Sequence, residues 1–206
     1  VTADGKVVLQ EDPLIHTEGD GDDWLHANSI EWMPWPGLAG TGPLYEPANV
    51  LVSMRHQSLI AIVNWDRKEL VWSWGRGELP RQPEATWLPD GNILLFDNGD
   101  EHRRRSRILK VDPRQDRVVW QWSAPHPEDF YSRGQGTAQA LPNGDVLVAE
   151  SAAGEAFELA PDGTVVWRWL CPYRNEKGQR AAIRIKRYDT ALVDAIIEKL
   201  GERPAR

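Results

Sequence analysis

Apolar and polar residues alternate along most of the chain in short runs, a pattern typical of half-buried β-strands. Stretches such as "NVLVSMR", "GNILLFDN" and "GDVLVAES" are the most apolar of these runs. Several runs are separated by Pro-Asp-Gly or Pro-Asn-Gly, which favour tight hairpin turns because glycine adopts a positive φ without steric cost. The pattern therefore predicts an all-β protein built from short antiparallel strands.

A pair of tryptophans recurs at a nearly constant interval. The pairs end the stretches "ELVWSW", "RVVWQW" and "TVVWRW", spaced by roughly 48 residues. The segments Leu59–Trp74 and Arg107–Trp122 overlay without a gap, and Glu155–Trp169 joins them with one deletion in the turn. Four short strands per repeat of this length form the blade of a β-propeller. The alternative, a β-sandwich with coincidental tryptophan spacing, does not predict that overlay.

Three complete blades are predicted, and each needs a neighbour to cover its faces. Their bounds are Trp24–Trp74, Gln82–Trp122 and Gly136–Trp169. We therefore expect each tryptophan pair to be buried against the adjacent blade.

The two ends of the chain predict partial blades. Thr2–Gln10 ("TADGKVVLQ") overlays the last strand of a blade, and "AAIRIKRYD" is interpreted as a single first strand. We expect residues 1–188 to form an incomplete propeller, either the C-terminal part of a longer one or one that closes by pairing its ends or with a partner. In "TALVDAIIEKLGE" an apolar stripe predicts a short helix, which Asp189 or Thr190 caps and Gly201 ends. Residues 189–206 are therefore expected to form a helix and tail packed on the propeller.

Composition narrows the possible partners. The 206-residue chain has a formal net charge of −7, which gives no electrostatic support for binding a nucleic acid or an anionic membrane. It contains 11 tryptophans, most of which we expect to be structural, and no apolar run of about 18 residues that predicts a membrane span. Cys171 is the single cysteine, so a disulfide within the chain is excluded.

Candidate functional residues lie where strand ends and loops would surround the mouth of a propeller channel. "DWLHANSIEW" places His26 and Asn28 two residues apart at the start of an inner strand. "VSMRHQS" places Arg55 and His56 at the end of the second strand, where alternation predicts that only one of them faces the channel. Tyr131, in the loop "HPEDFYS", is a further candidate for lining a phenol site.

Several stretches together resemble a known family. "DWLHANSIEW", "NVLVSMRHQSLIAIVNWDRKELVWSWG", "GNILLFDNG", "SRILKVDP", "AQALPNGDVLVAES" and "AFELAPDGTVVWRW" follow in order at matching spacing. They are similar to the C-terminal half of the arylsulfotransferases, the bacterial aryl-sulfate sulfotransferases, over about Val1 to Tyr188. The resemblance implies six propeller blades, a periplasmic or extracellular location, and transfer of a sulfuryl group between phenolic sulfate esters and phenols without a nucleotide donor.

The resemblance also implies a chemistry for particular residues. In the family, the sulfuryl group passes through a sulfated histidine, since neutral imidazole is a good nucleophile near neutral pH. His26 matches a second active-site histidine, and Arg55 matches an arginine whose planar fork holds the sulfate oxygens. Asn28 would orient the histidine ring or the ester.

One departure bears on activity. In the family the nucleophilic histidine lies in a Gln-His stretch followed by alanine, whereas here that stretch is "RQPEA". Gln82 and Ala85 match, but Pro83 stands in the histidine's place and offers no nucleophile. The usual sulfo-histidine intermediate is therefore not expected, and we expect Pro83, His26 and Arg55 to surround one axial depression.

Two hypotheses of different classes follow, and enzymatic activity stays open between them. The first is an arylsulfotransferase-like enzyme that needs no cofactor and no metal, acts on small aryl sulfates or phenols, and uses His26 and Arg55 as catalytic residues. Its expected substrate-binding residues are Asn28, His56, Gln82 and Tyr131. The second is a catalytically inactive propeller that serves as a ligand- or protein-binding module. Homo-oligomerisation, or further N-terminal blades, would complete the ring.

Overall fold

The computed structural model describes residues 25–80 and 84–201, whose strands form three four-stranded antiparallel sheets. The first sheet comprises β1 (Ala27–Trp32), β2 (Asn49–Met54), β3 (Leu59–Asn64) and β4 (Glu69–Trp74). The second comprises β5 (Glu84–Trp87), β6 (Ile93–Asp97), β7 (Arg107–Asp112) and β8 (Arg117–Trp122). The third comprises β9 (Thr137–Ala140), β10 (Val146–Glu150), β11 (Glu155–Leu159) and β12 (Val165–Leu170).

Within each sheet the strands follow one another in chain order, from an inner first strand to an outer fourth strand. The predicted all-β, propeller-type architecture with three complete blades is confirmed. Among the described residues, the three sheets do not close into a ring.

The hairpin turns also hold neighbouring sheets together. Gly91 has φ 84°, and the hydroxyl of Tyr45 from the preceding sheet donates a hydrogen bond of 3.1 Å to its carbonyl oxygen. Gly163 has φ 87°, and its carbonyl oxygen accepts a hydrogen bond of 2.9 Å from the indole of Trp122 in the preceding sheet. Glycine is required at both turns because of the positive φ and because an aromatic side chain of the adjacent sheet lies where a Cβ would project.

The core lies between the sheets. Ile62 and Leu51 of the first sheet pack against Ile93 and Leu109 of the second. On the other face of the second sheet, Phe96 and its neighbours pack against the third sheet in a separate apolar cluster. All five residues of β6 are therefore buried, because successive side chains of this strand face opposite neighbours.

The tryptophan pairs of the first two sheets pack against the cores between the sheets but are half-buried rather than buried. The indole of Trp72 donates a 2.6 Å hydrogen bond to Asp116, and that of Trp122 donates a 2.9 Å hydrogen bond to the carbonyl oxygen of Gly163. Both acceptors belong to the outer hairpin of the next sheet. In the third sheet Trp167 and Trp169 remain 38% and 37% exposed, since no further sheet covers them among the described residues.

Side chains of the inner strands bridge to the backbone of the next inner strand. Ser29 of β1 exchanges two hydrogen bonds with the backbone of Ala85 in β5, at 3.0 and 3.2 Å. A carboxylate oxygen of Glu31 accepts the backbone N–H of Trp87 at 2.7 Å. These bonds hold the inner strands side by side, so that polar side chains from different sheets meet between them.

The segment 181–189 differs from its prediction, because the structure gives it no strand. It lies beside β9 without forming a backbone ladder: the Gln139 side chain makes two 2.8 Å hydrogen bonds to the backbone of Arg187. The N–H of Ile183 donates to the carbonyl oxygen of Ser151 at 3.1 Å. Side-chain bridging replaces strand pairing here, in the same manner as between β1 and β5.

The C-terminal helix α1 spans Thr190–Gly201 and confirms the predicted helix. Asp189 caps it, since its side chain accepts the N–H of Leu192 at 3.2 Å. None of its residues is buried, and Ile196 and Ile197 are 49% and 61% exposed. The expected packing of this helix on the propeller is therefore not what the structure shows. The predicted strand Thr2–Gln10 lies outside the described residues.

A buried ion-pair network lies in the second sheet. Asp97 is fully buried, and one of its carboxylate oxygens accepts from Arg103 at 2.6 Å while the other accepts from Arg107 at 2.7 Å. Two cations thus compensate one desolvated carboxylate, and removing that carboxylate would leave both cations without their buried counter-charge.

Candidate functional site

His26, Arg55 and His56 lie next to one another at the start of the first blade. The backbone N–H of Arg55 donates to the carbonyl oxygen of His26 at 3.2 Å, and that of His56 donates to the carbonyl oxygen of Leu25 at 3.3 Å. The rings of His26 and His56 stack with centroids 4.6 Å apart. All three side chains are half-buried. The backbone of His26 thus lies beside that of Arg55.

Local backbone geometry explains this arrangement. His26 has φ 43°, a left-handed conformation that turns the chain immediately before β1. Arg55 and His56 follow the end of β2 and lie in the turn to β3, rather than in the strand. Strand alternation does not extend into a turn, so it does not apply to Arg55 and His56, and the expectation that only one of them faces the channel stays a prediction.

Asn28 occupies a β-bulge. Ala27 pairs with Met54 and Ser29 pairs with Ser53, so Asn28 is the additional residue between them. A bulge redirects a side chain, and Asn28 is exposed and lines a cavity of about 340 Å³. We call this the polar cavity. Its lining residues are Asn28, Glu84, Gly134, Gln135, Gly136, Thr137, Ser151, Ile183 and Arg184.

Arg55 borders the polar cavity. A Cβ placed on Gly134 would lie 3.6 Å from Nη2 of Arg55, so the guanidinium reaches the backbone that forms one wall. On another wall, the guanidinium of Arg184 lies 3.2 Å from Oε1 of Glu84. The guanidinium of Arg184 and the amide of Asn28 line this cavity, and the guanidinium of Arg55 lies near its Gly134 wall. Such donors suit a sulfate or carboxylate group.

A second cavity, of about 530 Å³, extends between the three inner strands, and we call it the axial cavity. It takes polar residues from each blade: Glu31 from β1, Glu84 from β5 and Gln139 from β9. Ile185 and Lys186 of the C-terminal segment line it as well. Besides Ile185 and two alanines, its apolar lining residues are Trp35, Trp87, Leu88, Pro89, Leu141 and Pro142.

Glu84 and Thr137 line both cavities. Glu84 is 9% exposed, and its Oε2 has no hydrogen-bond partner within the described part of the chain. The same is true of the indole nitrogens of Trp35 and Trp87, two further residues of the axial cavity. Three residues around the axial cavity thus carry a buried polar atom that has no partner in the described chain, whereas buried polar atoms are normally paired.

The carboxyl group of Glu31 is electrostatically coupled to the axial cavity. Burial raises the pKa of Glu31 above its ordinary value, while the Trp87 N–H and the charge of Lys186 act in the opposite direction. The nearby Glu84 raises it further. The axial cavity therefore contains two carboxyl groups and one ammonium group close enough to influence one another.

Glu150, at the end of β10, is a buried acid beside the polar cavity, next in sequence to Ser151. Burial, followed by repulsion from Glu155, raises the pKa of Glu150 to about 7. The backbone N–H of Tyr131 and the charge of Arg168 partly offset this shift. Glu150 therefore changes protonation near neutral pH.

Of the predicted site residues that the structure describes, Asn28 alone lines one of the two cavities, whereas His26, Arg55, His56 and Tyr131 line neither. The hydroxyl of Tyr131 donates to the carbonyl oxygen of Asp100 at 3.1 Å, and Tyr131 lines neither cavity. Its neighbour Phe130 is 1% exposed and belongs to the core between the second and third sheets. Gln82 and Pro83 lie outside the described residues, so the expected position of Pro83 beside His26 stays a prediction.

Sequence reasoning missed Glu84, Glu31 and Arg184. The position of Glu84 directly after Pro83, at the start of an inner strand, was the available signal. Nothing in the sequence pairs Glu84 with Arg184, which lies 100 residues away along the chain. Within residues 25–80 and 84–201, no three His, Cys, Asp or Glu side chains are grouped to hold a metal ion. In the same ranges, no helix has the length and apolarity needed to cross a membrane.

Solved structures with a similar fold share little sequence with this chain. A protein of unknown function from Bacteroides caccae is 19% identical, with 74% of this chain and 50% of that chain covered and a TM-score of 0.47. Virginiamycin B lyase from Staphylococcus aureus is 14% identical, with 76% and 44% covered and a TM-score of 0.46. Saccharomyces cerevisiae Sqt1 is 14% identical, with 70% and 34% covered and a TM-score of 0.47.

The chain thus spans half or less of each of these structures. A comparison with curated proteins gave no match. The family described as Arylsulfotransferase (ASST) matches residues 4–175, which include all three blades. The chain belongs to the arylsulfotransferase family.

Proposed function

We propose that this protein binds an aryl sulfate ester at the polar cavity and transfers its sulfuryl group to a phenol. Arg55 and Arg184 hold the sulfate oxygens, and Asn28 donates a further hydrogen bond from its amide. In this proposal the ring of His26, which stacks on that of His56, positions the donor ester. The reaction uses no nucleotide sulfate donor. By resemblance to the family, we place it in the periplasm or outside the cell.

The observation that carries this proposal is the convergence of residues from distant parts of the chain on one cavity. Asn28 comes from the first blade, Gly134 beside Arg55 comes from the loop before the third, and Arg184 follows the third. A sulfate monoester carries negative charge on a group of oxygens, and planar guanidinium groups bind such groups through paired hydrogen bonds. The family match supports the same class of ligand.

A specific observation favours a second candidate function. Pro83 stands where the family places its nucleophilic histidine, and proline cannot form a sulfated intermediate. A propeller that binds aryl sulfates or phenols without transferring the sulfuryl group would retain the cavities described above. Binding and transfer must therefore be measured separately.

The test combines calorimetric binding of 4-nitrophenyl sulfate with release of nitrophenolate in the presence of phenol. We expect Arg55→Ala to weaken binding roughly 10- to 150-fold, the effect of losing hydrogen bonds to a charged group. His26→Ala should lower transfer by about 10²-fold or more. The exposed residues Arg117 and His102 provide matched controls, Arg117→Ala and His102→Ala.

Three outcomes separate the candidates. Binding together with nitrophenolate release supports transfer. Binding that depends on Arg55 without any release supports the binding module. Equal binding by Arg55→Ala and Arg117→Ala contradicts the assignment of the site.

A further inference from the structure

Glu84 is the one described carboxylate that lines both the polar and the axial cavity. It begins β5, and its two oxygens have different environments. Oε1 accepts a hydrogen bond from Arg184 at 3.2 Å, whereas Oε2 is buried and has no partner among the described residues. Such an oxygen can accept a hydrogen bond that no group in the described chain donates.

The axial cavity next to Glu84 suits an aromatic ring. Its volume of about 530 Å³ is in the range of ligand pockets, and its walls include Trp35, Trp87 and Leu141. The other carboxylate of this cavity, Glu31, accepts the backbone N–H of Trp87 through Oε2 at 2.7 Å, just as Glu84 accepts from Arg184 through Oε1. The charged groups near Glu84 are Arg184 and Glu31, and Lys186 lines the same cavity. Glu84 differs in that its second oxygen is buried without a partner in the described chain, which favours it as the acceptor of a hydrogen bond from a ligand in the axial cavity.

We infer that the axial cavity binds the aryl ring of the acceptor phenol and that Oε2 of Glu84 accepts the proton of its hydroxyl group. This inference rests on the proposed function and assigns the acceptor a subsite of its own. The sulfate of the donor lies in the polar cavity and the ring of the acceptor lies in the axial cavity, so Glu84 stands where the two reactants meet.

The corresponding transfer step balances without a further reactant. The phenol oxygen forms a bond to sulfur while its proton moves to the Glu84 carboxylate. The bond between sulfur and the phenolic oxygen of the donor breaks, and the donor leaves as a phenolate that can take up the proton from Glu84. A phenol is protonated at neutral pH, so a positioned base speeds this step by about 10²- to 10⁴-fold. This route requires no side chain at position 83.

Binding measurements test the subsite independently of turnover. Phenol and its methyl ether, anisole, have similar rings, but anisole has no hydroxyl proton to donate. The wild-type protein should bind phenol at least about tenfold more tightly than anisole, because a hydrogen bond to a charged carboxylate is formed with phenol alone. In Glu84→Gln this preference should fall to about threefold or less.

Glu158→Gln is the matched control. Glu158 is another buried glutamate, with 8% of its side chain exposed, and it pairs with Arg187 of the same C-terminal segment at 2.7 Å. It lines neither cavity. This variant carries the same charge change, so we expect it to bind both phenol and anisole as the wild-type protein does. In the transfer assay Glu84→Gln should lose about 10²-fold or more, and Glu84→Asp, which keeps a carboxylate base, should lose less.

The outcomes for the subsite differ from those for the proposed function. A wild-type protein that binds 4-nitrophenyl sulfate but does not prefer phenol over anisole overturns the acceptor subsite and leaves the proposed function intact. An unchanged preference in Glu84→Gln, or an equal loss in Glu158→Gln, also overturns the role of Glu84. A Glu84-dependent preference for phenol without any binding of the sulfate ester overturns the proposed function and reduces the subsite to a phenol-binding site.

Discussion

Glu150 offers a sharp test of the electrostatics of this fold. It ends β10, is 8% exposed, and lies close to the carboxylate of Glu155. Burial and this repulsion raise the pKa of Glu150 to about 7, whereas its ordinary value is 4.5. Folding therefore favours the protonated form of this side chain, and the Glu150→Gln substitution removes the titration while keeping a similar shape and an oxygen that can accept from Tyr131.

The magnitude follows from the shift. One pKa unit corresponds to 1.36 kcal/mol, so the difference between 4.5 and about 7 sets an upper bound of about 3 kcal/mol. Below the ordinary pKa both the folded and the unfolded chain carry the proton, and Glu150 costs nothing. Between the two values only the folded chain binds the proton, so stability falls as pH rises. Above the folded pKa the whole cost of ionising the buried group is present.

Urea unfolding at several pH values measures this effect. Relative to wild type, Glu150→Gln should gain about 1–3 kcal/mol of unfolding free energy at about pH 8, and this gain should vanish at about pH 4. Glu101→Gln is the control, because Glu101 is 73% exposed and pairs with the equally exposed Arg133. A difference between Glu150→Gln and wild type that is the same at both pH values would refute the reasoning.

Two further substitutions test the ion-pair network and the packing of the sheets. Asp97→Asn should lower the free energy of unfolding by about 3–5 kcal/mol, because it leaves the cations of Arg103 and Arg107 without their buried counter-charge. Urea titration measures this loss, and a value below about 1 kcal/mol would contradict the expectation. Trp122→Phe should cost about 1–2 kcal/mol more than Trp169→Phe, since the indole of Trp122 donates to the adjacent sheet while Trp169 is 37% exposed. Equal thermal shifts of the two variants would argue against blade packing through these indoles.

The architecture of the blades could be predicted because its signals are local and repeated. The alternation of "NVLVSMR", the turns at Gly91 and Gly163, and the tryptophan spacing all report on short stretches of chain. Three copies of the same signal reinforce one another. The segment 181–189 was predicted less well, because alternation alone does not show whether a partner strand is present, and here the side chain of Gln139 takes that place.

The site could be predicted only in part. His26 and Arg55 were found through the family resemblance, and the structure places their backbones side by side. Strand alternation does not apply to His56, which lies in a turn and stacks on His26. Tyr131 was chosen for its aromatic ring, but its hydroxyl bonds to the backbone of Asp100 and the residue lines neither cavity. Residue type alone could not reveal which loop side chains face the axis.

The sequence by itself determined the strand order, the number of complete blades and the family, because hydrophobic alternation, turn chemistry and a long repeat are properties of consecutive residues. Only the tertiary structure decided how the cavities are lined, because Asn28, Glu84 and Arg184 come from different repeats and meet where the inner strands converge. It also decided which carboxylates are buried and which retain an oxygen for a ligand, because burial depends on neighbours that are distant along the chain.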